Sequence, residues 1–147
     1  MEFRQAERHD LGTIVDLLID DPLGAQRERH DLAPYEDGFD RILDEPQNMI
    51  LVAEDGGRIV ATYQLTFISG LSHTATRRAQ IESVRVVEGL RGKGIGRALM
   101  QDAEARARAA GCGMIQLTTH ATRNRARDFY DQLGFTPSHV GYKRVLD

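Results

Sequence analysis

Between Leu90 and Leu99 the chain reads LRGKGIGRAL, with glycine at 92, 94 and 96 and cations at 91, 93 and 97. An amphipathic helical pattern follows at once, although glycine is a poor helix former. A strand-like run, IESVRV (81–86), precedes it. A strand, a glycine-rich turn and a helix in that order make a junction whose free backbone N–H groups and helix dipole suit an anion. Such a junction needs a layered α/β fold, with the helix packed on the sheet that the strand belongs to. Two familiar phosphate loops are excluded by register. A P-loop needs Gly-Lys-Ser/Thr, and here Gly92-Lys93 is followed by Gly94. The dinucleotide fingerprint G-x-G-x-x-G ends on Arg97 if begun at Gly92 and on Leu99 if begun at Gly94. On the glycines alone, a turn bearing solvated charges stays equally open.

The rest of the chain supplies the other elements. Residues 3–6 form a candidate first strand. Asp10 is placed to cap a helix through Ile14, Leu17 and Leu18. Residues 20–30, charged and holding Pro22 and Gly24, read as a loop. Pro34 opens a helix carrying Phe39, Ile42 and Leu43. Residues 49–53 are a continuous apolar strand, and Asp55-Gly56-Gly57 is a hairpin signal into an alternating strand, Ile59 to Phe67. Residues 69–78 form a polar loop. Residues 79–87 are a strand with a change of phase: Ala79 and Ile81 are odd-numbered, Val84 and Val86 even. One extra residue, a β-bulge, lets both pairs face one side. After the glycines, Ile95, Leu99, Ala103 and Ala107 make one stripe, with Asp102–Arg106 and Glu104–Arg108 as pairs on the other side. Gly111 stops that helix. Met114 to Leu117 is a strand, Ala126 to Leu133 a helix ended by Gly134, and Val140 to Leu146 a last strand. The order is β-α-α-β-β-β-α-β-α-β, an α/β layer fold on a mixed sheet.

Composition bounds the function. At 147 residues the chain is expected to form one domain, residues 1–147. Its net charge of −3 makes no case for a nucleic-acid partner. No apolar run is long enough for a membrane span, and the charged first residues are unlike a signal peptide, so a cytoplasmic protein is expected. The single cysteine, Cys112, excludes an internal disulfide. The five histidines have no metal-ligand spacing, and no metal is expected.

Arg91 to Gly96 also fits the pattern Arg/Gln-x-x-Gly-x-Gly/Ala. It follows IESVRV and precedes ARDFYDQLGF (126–135) by about thirty residues. These three pieces together resemble the GNAT superfamily of acetyl-CoA-dependent N-acetyltransferases. The element order extends the resemblance over the whole chain. It implies a mostly antiparallel sheet, splayed at its fourth and fifth strands, and direct attack of an amine on acetyl-CoA in a ternary complex.

The resemblance also implies roles for residues. Arg91, Gly92, Lys93, Gly94, Ile95 and Gly96 match the loop that cradles the coenzyme A pyrophosphate. Lys93 and Arg97 add charge there or are solvated. Val84, Arg85 and Val86 match the strand whose backbone pairs with the pantetheine arm, and an N–H near Val84 is placed to polarise the thioester carbonyl. Tyr130 matches a tyrosine that protonates the departing thiolate; otherwise it packs like Phe129. Glu82 is the candidate base, or else it pairs with Arg77 or Arg78. Many relatives have Asn where this chain has Arg123, which leaves Arg123 for a coenzyme phosphate, the acceptor or solvent. Asn124, one residue late, is a candidate helix cap. Cys112 is read as a small buried residue, not a nucleophile. Ser138 to Lys143 resembles endings in a bacterial subgroup and identifies no acceptor. The acceptor is a small-molecule or peptide amine. Dimers are frequent among relatives, so a homodimer is an open expectation. The rival reading is a non-catalytic acyl-CoA-binding sensor with the same fold.

Overall fold

The computed structural model describes residues 1–147. Its elements in chain order are β1 (Glu2–Gln5), α1 (Leu11–Ile19), α2 (Gly24–Arg27), α3 (Ala33–Leu43), β2 (Asn48–Asp55), β3 (Arg58–Ile68), β4 (Arg78–Val86), α4 (Ile95–Ala109), β5 (Met114–Leu117) and α5 (Asn124–Gln132). The five-stranded sheet has the order β1-β2-β3-β4-β5, antiparallel except for the β4–β5 pair. That one parallel pair follows from α4, which returns the chain across the sheet between them.

The sheet's two faces are set by strand alternation. Ala61, Tyr63 and Leu65 of β3 and Ala79 and Ile81 of β4 bury against Leu99, Met100, Ala103 and Ala107 of α4. Val84 and Val86 join the same apolar cluster despite their change of parity. The expected bulge makes this possible: the β3–β4 register slips between Thr62 and Gln64, and Ser83 takes a left-handed φ of 54°. The other face carries α1, whose Leu11 and Val15 pack with Phe39 of α3.

The structure corrects several expectations. Asp10 does not cap α1 with its side chain. It is 4% exposed and accepts from Arg4 Nη1 at 2.7 Å and Nη2 at 3.1 Å, and from the Glu7 N–H at 2.7 Å. A buried carboxylate takes the strongest donors in reach, and here those lie behind the helix rather than in its first turn. Asp102 and Arg106 do not lie on an outer face. Asp102 accepts from the Tyr63 hydroxyl and from Arg106 Nε, and Arg106 reaches the Phe3 carbonyl. The pair thus satisfies a tyrosine whose ring is buried in the core. Within the expected loop 20–30 lies the short α2, and residues 73–75 form a left-handed turn inside the second loop. Asn124 is the first residue of α5 and makes no cap bond. Val140 to Leu146 is not a strand: the chain leaves α5 at Gly134, and every residue from Thr136 on is exposed with no ladder partner. Alternation marks a strand-forming segment, but a strand exists only where its backbone joins a ladder, and this segment joins none.

Replacing Asp10 with Asn is expected to lower stability by about 2 kcal/mol at neutral pH, because it removes charge-assisted bonds from a buried site. The hydrogen bonds from Arg4 hold the Asp10 carboxyl below its ordinary 3.8. Its stabilisation is therefore complete above 3.8 and is lost as pH falls through the lower folded value. Urea unfolding from pH 7 to pH 3 checks this, and the gap between the two proteins should narrow at the acid end.

Candidate active site

The site begins where β4 loses its neighbour. β4 pairs with β5 from Arg78↔Met114 to Ile81↔Leu117 and no further. From Glu82 to Val86 the β5-facing edge of β4 is open. Val87 donates its N–H back to Val60 at 3.0 Å, toward β3. By alternation, the peptide groups of Val84 and Val86 turn to the open edge. Arginines meet their carbonyls there: Arg85 Nη1 donates to Val84 O at 2.9 Å and Arg91 Nε to Val86 O at 3.1 Å.

The glycine loop sits at the far end of this edge. Gly92 and Gly94 have φ of 78° and 87°, a left-handed conformation open to glycine and strained for other residues. A Cβ at either would meet nothing within 4 Å, so the space before them is open. Gly96 is glycine for another reason. A Cβ there would lie 3.3 Å from Phe129 Cζ, so the residue lets α5 pack on the first turn of α4. No backbone N–H from Gly92 to Arg97 has a hydrogen-bond acceptor within the chain; the first α4 bond in this region is Ala98 N–H to Gly94 O. Lys93 and Arg97 are exposed and make no ion pair. A row of unpartnered N–H groups at a helix N-terminus, flanked by free cations, fits a diphosphate. Arg91 is not one of those free cations: it bonds to Val86 O and Asp20 O and approaches the Asp20 carboxylate at 3.8 Å.

Arg123 and Arg85 converge on Asp21. Arg123 Nη2 donates to Asp21 Oδ2 at 2.7 Å, and Arg85 lies 3.8 Å from the same oxygen. The Leu23 and Gly24 N–H groups donate to it as well, at 3.2 and 2.9 Å. The turn Asp21-Pro22-Leu23-Gly24 thus folds around its own carboxylate, the Asx geometry such a sequence favours. That turn pattern was the available signal; the long-range arginines left none. The site has two guanidiniums and one carboxylate. Arg85 is 9% exposed and its Nε is the one buried side-chain polar atom without a partner. Burial pulls the Arg85 guanidinium below its usual value, the Asp21 charge opposes that, and Arg123 reinforces it.

Tyr130 stands on α5, edge-on to Phe129 and Phe135 with ring centroids 5.2 and 5.8 Å away. The packing role and a chemical role are compatible, since its hydroxyl makes no hydrogen bond in the chain. Burial raises the phenol above its ordinary value, and the charges of Arg123 and Arg85 pull it part of the way back. Glu82 is exposed on β4, one residue beyond the last β4–β5 pair, opposite Gln64. The pairings considered for it are absent: Arg77 bonds to Ala110 O and Gln47, and Arg78 to Gln116. Cys112 lies just before β5, and burial pushes its thiol up, away from nucleophilic reactivity. No group of three or more His, Cys, Asp or Glu is placed to hold a metal, and no helix is long and apolar enough to cross a membrane.

A mixed sheet whose one parallel pair ends early, with a helix start of free N–H groups beside it, defines an α/β class of fold with a candidate anion site. The model of the acetyltransferase (GNAT) family matches residues 12–135, and the chain belongs to that family. It is 28% identical over 145 residues to the aminoalkylphosphonate N-acetyltransferase of Salmonella typhimurium, covering 99% of this chain and 91% of that one. A crystal structure of a Bacillus halodurans protein described as a transcriptional regulator is 40% identical, with a TM-score of 0.94 and 99% of each chain covered. Glucosamine-6-phosphate N-acetyltransferase from Arabidopsis thaliana shares the fold at 20% identity, with a TM-score of 0.81 and coverage of 99% and 98%.

Asp21→Asn is expected to cost about 3 kcal/mol, because it leaves a buried arginine without its counter-charge. Adding Arg85→Met to that variant should restore part of the loss, since the uncompensated charge goes too. Urea denaturation of the two variants checks both statements.

Proposed function

We propose that this protein is a cytoplasmic N-acetyltransferase of one domain, residues 1–147, that moves the acetyl group of acetyl-CoA to a primary amine by direct attack in a ternary complex. The observation that carries this is the unbroken set of free N–H groups from Gly92 to Arg97 beside the open edge of β4. The loop from Arg91 to Gly96 would hold the pyrophosphate through backbone groups, with Lys93 and Arg97 adding charge. Val84, Arg85 and Val86 would offer strand-like pairing to the pantetheine arm. The thioester supplies an activated acetyl group, and the rest falls to this chain's residues.

The Val84 N–H faces the slot and stabilises negative charge on the carbonyl oxygen. Glu82, unpaired at the mouth of the slot, takes a proton from the incoming ammonium, directly or through water. Tyr130 donates its proton to the leaving thiolate, and its burial-raised pKa keeps it protonated for that purpose. Arg123 is read as part of the acceptor side rather than as a phosphate ligand, because Asp21 already holds it. The surplus positive charge of Arg85 and Arg123 over Asp21 suits an amine that also carries an acidic group. The acceptor in the Salmonella relative's name, an aminoalkylphosphonate, is of that kind. A homodimer belongs to the same reading.

The name of the Bacillus halodurans protein favours a second reading, an acyl-CoA-binding regulatory module without turnover. Release of free thiol from acetyl-CoA across a panel of small amines, aminoalkylphosphonates included, decides between them. Thiol release is expected, with kcat reduced about a hundredfold in Tyr130→Phe. Acetyl-CoA binding without thiol release on any amine would support the regulatory module instead. Glu82→Gln is expected to lower kcat/KM about tenfold or more at neutral pH, and an unchanged value would remove Glu82 as the base.

A further inference from the structure

We propose that the carboxamides of Gln64, Gln80 and Gln116 select the acceptor, and that the acceptor is an α-amino acid whose side chain carries a neutral amide or hydroxyl. The inference rests on the proposed roles of Glu82, Arg85 and Arg123 and extends them to the rest of the acceptor molecule.

Strand register places these side chains. Tyr63 and Leu65 of β3 and Ala79 and Ile81 of β4 pack toward α4, so Gln64, Gln80 and Glu82 stand on the opposite face. Gln64 is opposite Glu82, Thr66 is opposite Gln80, and Gln80 is in turn beside Gln116 of β5. The bulge at Ser83 returns Arg85 to that same face, where it meets Asp21. Along β4 the face therefore carries a carboxamide, the candidate base and a guanidinium in sequence.

The polar side chains form a row across β2 to β5. Gln116 Nε2 donates to Gln80 Oε1 at 2.6 Å. Gln64 Nε2 and Thr66 Oγ1 donate to Asn48 Oδ1 at 3.0 and 3.1 Å. The row does not satisfy itself. Gln80 Nε2 and Gln64 Oε1, a donor and an acceptor, have no partner in the chain. Thr62 on this face is 2% exposed, whereas Gln64, Gln80 and Gln116 are half-buried and reach solvent. Carboxamides with a donor and an acceptor to spare suit a ligand group that offers both, an amide or a hydroxyl. An aliphatic chain laid on them would cover both atoms and leave them unpaired.

The order along β4 sets the order within the acceptor. Gln80 and Glu82 are two residues apart, about 7 Å along the strand, and Arg85 lies on the other side of Glu82. An amine at Glu82 thus lies between an acid at Arg85 and Arg123 and a polar group at the carboxamides. Two guanidiniums against the one Asp21 carboxylate leave a single positive charge, which matches one carboxylate on the ligand. An α-amino acid has that order: the amine's carbon bears the acid on one side and the side chain on the other.

Thiol release from acetyl-CoA tests this with L-asparagine against its isostere L-leucine, and with L-glutamine against L-norleucine. Each pair shares amine and acid and differs in the side chain. The native protein is expected to favour the amide in at least one pair by about tenfold in kcat/KM. In Gln80→Leu/Gln116→Leu that preference should fall to within about twofold, through KM. Gln64→Leu alone should reduce it in part, which keeps the test open if the double variant does not fold. A merely structural role would slow both members of a pair alike and leave their ratio standing. Equal kcat/KM within both pairs in the native protein, or a preference that survives in the variants, overturns the inference. So does thiol release on other amines with none on these four acids, which leaves the N-acetyltransferase reading intact. No thiol release on any amine removes that reading and this inference with it.

Discussion

The structure depends on a pairing that stops. β4 and β5 share a ladder as far as Ile81 and Leu117, and then β4 goes on without a partner. The bulge at Ser83 bends the strand where the ladder ends, while Val84 and Val86 remain packed against α4. An unpaired stretch of central strand is costly to leave buried, since each peptide group needs a partner. Here the carbonyls of Val84 and Val86 are met by Arg85 and Arg91, and no strand pairs with that edge. The same break that weakens the sheet leaves the open edge on which the proposed chemistry relies.

The remaining parts are placed by that slot. The glycine loop follows β4 directly, so the free N–H groups of Gly92 to Arg97 lie along the same path as the open edge. The contact between Gly96 and Phe129 brings α5 against α4, and with it Tyr130. The Asp21 turn is tied to β4 through Arg85 and to the start of α5 through Arg123. Its charge balance is uneven, and that imbalance bears on the kind of amine the site would accept.

Much of this was legible in the sequence because it was local. The parity change between Ile81 and Val84 announced the bulge, and the spaced glycines between a strand and a helix announced a junction of free backbone N–H groups. The glycines did not all share that reason, however. Gly96 answers to Phe129, thirty-odd positions away, and no local pattern carries such information. The same holds for Asp10 with Arg4, for Asp102 beneath Tyr63, and for Asp21 between two arginines. Each is a polar group whose partner was chosen by packing. Val140 to Leu146 shows the limit most plainly: its alternation was visible, but alternation alone does not place a segment in the sheet.

The central claim is that the open edge of β4 and the loop after it receive acetyl-CoA. Amide hydrogen exchange with and without saturating acetyl-CoA tests it most directly, residue by residue. The account predicts slowed exchange at Val84, Val86 and the amides of Gly92 to Arg97, with β1 and β2 unchanged. Binding of acetyl-CoA that leaves those amides untouched, or protects another surface instead, would contradict it.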